Sequence, residues 1–239
     1  MNTDKQHQSI REMAIDDAGE LEDFIYVLSH DVRGSVRALL ELPQWIKEDL
    51  IEEGHEIKGS LAESFDLMQT HMGRLDRMLI DLLEYSRVGR KQSVQTVDLA
   101  AAIALVMEQL SVPPAFKVTL DLQCKSLRIG EKDILVLLKA LLSNAIKHHD
   151  KAEGQITLST TRDGFDCTLC VRDDGPGIAE KHRKQVFDTM KTLQPRDEIE
   201  GSGMGLATVS KIVNFYDGRL CWVDGLNGRG IGLEARFPV

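Results

Sequence analysis

Residues 21–50 read LEDFIYVLSHDVRGSVRALLELPQWIKEDL, and apolar side chains return at Leu21, Ile25, Leu28, Val32, Leu39, Leu42 and Ile46 in steps of four and three, with Ser35 in the one missing place. That spacing predicts a helix with a heptad seam. Downstream, Leu61, Phe65, Met68, Met72, Leu75, Leu79 and Leu82 repeat the same steps without a gap and predict the partner helix. The polar segment Glu52 to Gly59 has a glycine near each end and suits a tight turn between antiparallel helices. The expected unit is an αα-hairpin. Phe24, Val36, Leu40, Trp45, Leu67, Met78 and Leu83 lie beside the seam and widen the apolar stripe beyond what one hairpin covers. Two copies are therefore expected to pair as a four-helix bundle, making the protein a homodimer. Pro43 removes one helical hydrogen bond and predicts a kink.

His30 lies two residues after Leu28 and two before Val32, so it is expected to point away from the seam into solvent. Taken alone, such a histidine is more often an ordinary surface residue than a functional one. Its meaning depends on what the remainder of the chain encodes.

The heptads stop at residues 85–93, and the domain boundary is placed near residue 92, giving a helical unit over 1–92 and a second domain over 93–239. In the second, Lys117 to Leu122, Ser126 to Ile129, Gln155 to Thr161, Cys167 to Arg172, Gly218 to Asp224 and Ile231 to Phe237 read as strands. Helices are predicted at Leu99 to Leu110, Asp133 to His148, Glu180 to Phe187 and Leu206 to Tyr216. The fold class is α+β: a helical hairpin followed by an α/β sandwich.

Three segments of that sandwich point to a nucleotide. Asn144 and Lys147, three residues apart, share one helical face, where an amide oxygen can hold magnesium and an ammonium can meet phosphate. Asp173 ends a strand and precedes a turn with Gly175 and Gly177; its carboxylate can accept from the amino group of adenine, and the glycines allow close backbone approach. Gly201, Gly203 and Gly205 lead through Leu206 into a helix whose N-terminal amides can face a phosphate chain. This is neither a P-loop, for want of Gly-Lys-Ser/Thr, nor the dinucleotide fingerprint, because position 206 is Leu and no strand leads in. The polar stretch Asp188 to Glu200, with Lys191, Pro195 and Arg196, is read as a lid over the nucleotide.

The formal net charge of −9 opposes general nucleic-acid binding. The longest uncharged apolar stretch, Leu99 to Met107, is about half of the roughly 18 residues a membrane span needs. Met1 to Ile10 is polar and lacks a signal core, so a cytoplasmic location is expected. Cys124, Cys167, Cys170 and Cys221 read as reduced structural thiols, the C-x-x-C pair falling on opposite faces of one strand.

Taken in order, these segments resemble the sensor histidine kinases from about residue 20 to residue 239. Leu28-Ser29-His30-Asp31-Val32-Arg33 is similar to the histidine box, Asn144-Ala145 to the asparagine box, and the runs from Asp173 and Gly201 to the two glycine boxes, with Phe187 where a phenylalanine box would stand. The resemblance implies a Bergerat (GHKL) type ATP-binding domain serving a dimeric phosphoacceptor bundle. It implies ATP with Mg2+, autophosphorylation of His30 with Asp31 orienting or deprotonating it, and transfer to an aspartate of a response-regulator receiver domain. Four positions depart from the family pattern: Ser35 replaces a proline, Ala140 replaces a first asparagine, Met190 replaces a second phenylalanine, and Gly34 stands where phosphatase-active members carry Thr or Asn. Two other readings compete. One is an ATP-independent histidine phosphotransfer scaffold with a degenerate kinase domain; the other is an ATPase or serine kinase of the same nucleotide fold. Little sequence precedes Leu21, so the stimulus is expected to come from a separate sensor protein, or the chain belongs to a longer one.

Overall fold

The computed structural model describes the backbone of residues 2–238 apart from 91 and 196–198, and the side chains of those residues except 2–22 and 24. The chain divides into two compact units, Met1–Arg87 and Val88–Val239.

The first unit is a helical hairpin of α1 (Asn2–Glu52) and α2 (Ser60–Arg87). Gly54 and Gly59, at φ +84° and +59°, supply the left-handed backbone on which the turn depends. Pro43 lies inside α1, which continues through it. The row facing α2 is not the predicted one. Ser29, Val36 and Pro43, spaced by sevens, are buried on α1, and Phe65, Leu83 and Ser86 are buried on α2. The expected seam residues Leu28, Val32, Leu39, Leu42 and Ile46 remain between 38% and 50% exposed. Small side chains explain the shift, because Ser29 lets the helices approach closely, while Arg33 reaches Asp76 across the hairpin at 3.1 Å. The broad apolar row is left uncovered by the chain's own second helix. Leu21 and Phe24, assigned to the stripe from sequence, lie outside the described side chains.

The second unit is an α/β sandwich. Strand β1 (Val94–Asp98) pairs antiparallel with β3 (Ser126–Gly130), and a five-stranded sheet runs in the order β2 (Phe116–Leu122), β4 (Gly154–Asp163), β5 (Asp166–Asp173), β7 (Ile231–Pro238), β6 (Arg219–Asp224). Among the described residues β2 pairs with β4 in parallel and the other pairings are antiparallel. Helices α3 (Leu99–Leu110), α4 (Glu131–Lys147) and α5 (Gly205–Phe215) supply the apolar face that packs with the sheet's inward row around Leu137, Leu158, Leu169, Val209 and Ala235. Burial of one fully covered aliphatic side chain in such a core contributes about 1.5–3 kcal/mol. Asp98 caps α3 by accepting from the amide of Ala101 at 2.9 Å, which fixes where strand β1 becomes helix. The unit begins at Val88 rather than past residue 92: Val88 is 3% exposed within this core, and the Gly89 amide donates to Asp133 at 3.0 Å.

The predicted helix from Glu180 to Phe187 is instead two short 3-10 turns, Glu180–His182 and Gln185–Phe187. Only Val186 of this segment is buried, too little apolar contact to hold a lone helix of that length. The four cysteines are free thiols, with Cys167 in the core cluster and Cys170 outside it.

Candidate functional site

In the first unit His30 is exposed, its side chain at 70% of full accessibility. Its Nδ1 lies 3.2 Å from Oδ1 of Asp31, so the carboxylate engages one ring nitrogen and leaves Nε2 facing solvent. Neighbouring helical positions diverge by about 100°, yet the short aspartate reaches back to the ring. One turn earlier, Tyr26 stacks on the imidazole with centroids 6.4 Å apart at 29°. Arg87, the last residue of α2, donates to the Tyr26 hydroxyl at 2.9 Å, with its guanidinium 4.7 Å from the ring centre. Tyr26 and Arg87 carried no motif signal in the sequence; their pairing joins residues 61 apart.

In the second unit the predicted nucleotide residues lie on or beside α4, α5 and β5, and α4 packs against both of the others. Half-buried Asn144 and exposed Lys147 occupy the last turn of α4. The start of α5 packs against α4 one turn before Asn144: a Cβ on Gly205 would lie 3.8 Å from the Ala140 methyl. Gly203 sits at φ +75°, where a Cβ would come 2.6 Å from the carbonyl oxygen of Lys191, so only glycine lets this loop pack against the backbone of Met190 and Lys191. Gly201 has open space around it. The amide of buried Met204 is held by Ser202 Oγ at 3.1 Å, and the Thr208 amide and hydroxyl both donate to the Met204 carbonyl at 2.8 and 2.9 Å. Among the described residues no side chain caps α5, so its N-terminus can receive an anion. Leu206, half-buried, packs against the core just inside that terminus.

Asp173 closes β5. Its Oδ1 accepts from the Gly175 amide at 2.9 Å, and its backbone carbonyl accepts from Leu226 at 2.9 Å. Burial pushes its carboxyl pKa above the ordinary value, against the opposing pull of amides from Gly175 and Ile231 and of His149 nearby. Gly177, at φ +72°, would place a Cβ 2.9 Å from the Gly230 carbonyl oxygen, and one on Gly230 would strike the Asp173 carbonyl at 2.1 Å. The loop from Gly225 to Gly230 therefore presses against the Asp173 turn, a role its three glycines in six positions advertise but which sequence reading passed over.

Between the glycine turns, residues 188–195 carry no regular element, and Arg196 lies outside the described residues. Gln194 hydrogen-bonds His148, just past α4; crowding around the ring is the main cause that lowers the His148 pKa, Gln194 opposing it and the charge of Lys147 adding to it, although the residue as a whole is exposed. Phe187 tilts onto Trp222 of β6 with centroids 5.3 Å apart. Among the described residues no three His, Cys, Asp or Glu side chains are placed to cage a metal, and no helix is long and apolar enough to cross a membrane. A metal here would be one that takes most of its ligands from phosphate and water, as magnesium does, and the Asn144 amide oxygen suits that ion.

Comparison with known proteins agrees with this geometry. Residues 130–239 match the family model of histidine kinase-, DNA gyrase B- and HSP90-like ATPases. Over 92% of its length the chain is 30% identical to the methanogenesis regulatory histidine kinase FilI of Methanothrix harundinacea, covering 25% of that protein. It is 28% identical to cyanobacterial phytochrome A of Nostoc sp., again over 92% of the chain and 29% of the relative. The full-length ShkA structure in complex with AMPPNP superposes with a TM-score of 0.66 at 21% identity, covering 90% of this chain and 45% of that one, and the Acinetobacter baumannii histidine kinase AdeS with 0.58 at 19% identity, over 85% and 96%. The chain thus spans about a quarter of the first two curated relatives. With the hairpin, the sandwich and these similarities in agreement, the chain belongs to the sensor histidine kinases and carries their catalytic core.

Proposed function

We propose that the protein is an ATP-dependent histidine kinase that phosphorylates His30 and passes the phosphoryl group to an aspartate of a response-regulator receiver domain. The observation that carries this reading is the state of the His30 ring: solvent-exposed, tethered at Nδ1 by Asp31, with Nε2 left for attack. Neutral imidazole is a competent nucleophile near pH 7, and phosphoryl transfer chiefly demands alignment and charge neutralisation. Asp31 supports the charge that develops on the ring as Nε2 bonds to phosphorus. Asp173 accepts from adenine, the amides beginning α5 meet the phosphate chain, and Lys147 adds positive charge beside it. Bound magnesium, held in part by Asn144, supplies further neutralisation of phosphate oxygens.

The uncovered row from Leu28 to Ile46 supports a homodimer, since apolar side chains at coiled-coil spacing call for a second pair of helices. The functional roles of the two units follow: the hairpin receives the phosphoryl group and dimerises, and the sandwich binds ATP. Incubation with γ-labelled ATP and magnesium tests the reading. Acid-labile label on the wild type, lost in both His30→Gln and Asp173→Asn, is the expected result. Label that survives in Asp173→Asn, or none on the wild type, overturns it, the latter favouring an ATP-independent phosphotransfer protein.

A further inference from the structure

His149 lies two residues past Lys147, where α4 has ended, and its side chain is only 1% exposed. A buried polar ring needs partners, and each one here ties it to a different part of the fold. Phe116 of β2 meets the ring edge to face, with centroids 5.3 Å apart at 86°. Nδ1 receives the backbone amide of Lys151 at 3.1 Å, with the carbonyl of the same residue at 3.2 Å. An amide can only donate, so Nδ1 acts as the acceptor and the ring proton sits on Nε2. Nε2 then donates to Oδ1 of Asp174 at 3.0 Å. That same carboxylate oxygen accepts the Gln155 amide at 2.7 Å. Burial pushes the Asp174 carboxyl up, but the hydrogen bonds from Gln155 and His149 outweigh it and hold its pKa below the ordinary value.

Asp174 is the middle of the turn that begins at Asp173, and the ring forms the floor of that turn. A Cβ on Gly175 would lie 3.3 Å from His149 Cδ2, and one on Gly154 would lie 2.8 Å from Nε2. Asp150 also lies near the ring, 3.9 Å from Nδ1, and is itself paired with Arg229 at 2.7 Å. Arg229 belongs to the glycine-rich loop that presses on Asp173, so the floor and the lateral wall of the turn share this cluster.

We propose that His149 is a positioning residue for the nucleotide: its Nε2–H, by fixing Asp174, holds the turn from Asp173 to Gly175 in the orientation in which Asp173 meets the adenine amino group. It sets adenine affinity and base selectivity and takes no part in phosphoryl transfer. The inference rests on Asp173 as the adenine acceptor.

The test uses the full chain with His149→Phe, which keeps a ring but has no donor, and His149→Gln, whose Nε2 can take the place of the imidazole Nε2. Calorimetric titration with ADP and GDP is combined with KM for ATP, kcat for autophosphorylation, and thermal unfolding. Loss of one hydrogen bond to a half-buried carboxylate predicts about a tenfold rise in the ADP dissociation constant and in KM for His149→Phe. Its GDP-to-ADP ratio should fall toward unity, kcat should stay within about twofold, and His149→Gln should recover most of the affinity. Wild-type ADP affinity in His149→Phe overturns the proposal, as does a parallel loss of kcat, or a His149→Gln variant no better than His149→Phe. Should His149→Phe not fold, His149→Gln decides: selectivity near wild type supports the role, and selectivity lost in a folded protein refutes it. A wild type that binds neither nucleotide would remove the reading of Asp173 itself, an outcome distinct from a wild type that binds ADP and variants that bind it equally well.

Discussion

Replacing Tyr216 by phenylalanine removes one oxygen and two hydrogen bonds from the interior of the ATP-binding unit. The hydroxyl donates to Oδ2 of Asp133 at 2.7 Å and accepts from the Gly130 amide at 3.0 Å. Asp133 is 4% exposed, and its Oδ2 also receives the Gly89 amide at 3.0 Å. Three separated pieces of chain therefore meet on one carboxylate: the first residues of the unit, the start of α4, and the end of α5. The bond to the charged acceptor is worth about 1.5–3 kcal/mol and the neutral one about 0.5–1.5 kcal/mol, so Tyr216→Phe should cost about 2–4 kcal/mol. For a unit of this size that lowers the melting temperature by about 4–16 °C, read by differential scanning calorimetry. Alkali supplies a second readout. Burial first, and then Asp133, push the Tyr216 phenol pKa up, so the folded state keeps a proton that the unfolded state loses near pH 10. The sign follows: the contribution is full below about pH 10 and is lost as pH rises beyond it, and the phenylalanine variant should lack that slope. A shift below about 2 °C with an unchanged alkaline limb would refute the network as a support of the fold.

Gly203→Ala should abolish ATP binding while the sandwich stays folded, because the left-handed backbone and the Lys191 carbonyl leave no room for a methyl group; retained binding by calorimetry would show that the loop has another way to close. Adenine nucleotide affinity should fall on acidification at a pH above the ordinary carboxylate value of about 3.9, since burial raises the Asp173 pKa and the charged form is the better acceptor. In the free protein the same raised pKa works the other way: stability from protonated Asp173 is present at low pH and lost as pH rises through it, so a titration of melting temperature with and without ADP separates the two. Leu39→Glu combined with Leu42→Glu, both on the uncovered row, should convert a dimer to a monomer in sedimentation velocity; an unchanged sedimentation coefficient would count against this row as the interface. Tyr26→Ala should slow autophosphorylation several-fold at unchanged KM for ATP, because it frees the His30 ring from its stacking partner, and Tyr26→Phe should restore most of the rate.

Periodicity was enough to find almost every regular element, because burial on one face writes itself into the spacing of apolar residues. It named Leu99 to Leu110 to the residue and came within two residues at both ends of α4, β4 and α5. It missed β1, where Val94–Asp98 is a short, largely exposed pairing with no alternation strong enough to notice. It also chose the wrong row on α1 as the one facing α2. Both rows have period seven, and hydrophobicity favoured Leu28, Val32 and Leu39, whereas the close approach of two helices in one chain favoured the smaller Ser29 with Val36 and Pro43. Hydrophobicity thus marked the row that α2 leaves uncovered, while the row that α2 covers includes the smaller Ser29.

The site divides along a similar line. Residues proposed to meet the nucleotide with their own backbone or head group were singled out by type and spacing, as were the glycines at Gly203 and Gly177 and the amide at Asn144. Residues that hold those in place are visible only once distant segments meet. Asp133 looked like an acidic residue in the first turn of a helix, and Tyr216 like the end of another; their bond spans 83 positions. His149 lies in the polar run after Lys147, and its burial follows from Phe116, Lys151 and Asp174 closing around it from three sides. In this chain the groups proposed to touch nucleotide came from residue type and spacing alone, whereas the groups that hold their surroundings in place come together only through the topology of the sheet. Substitution of the second kind should alter affinity in graded steps, whereas loss of His30 or Asp173 should end the reaction outright.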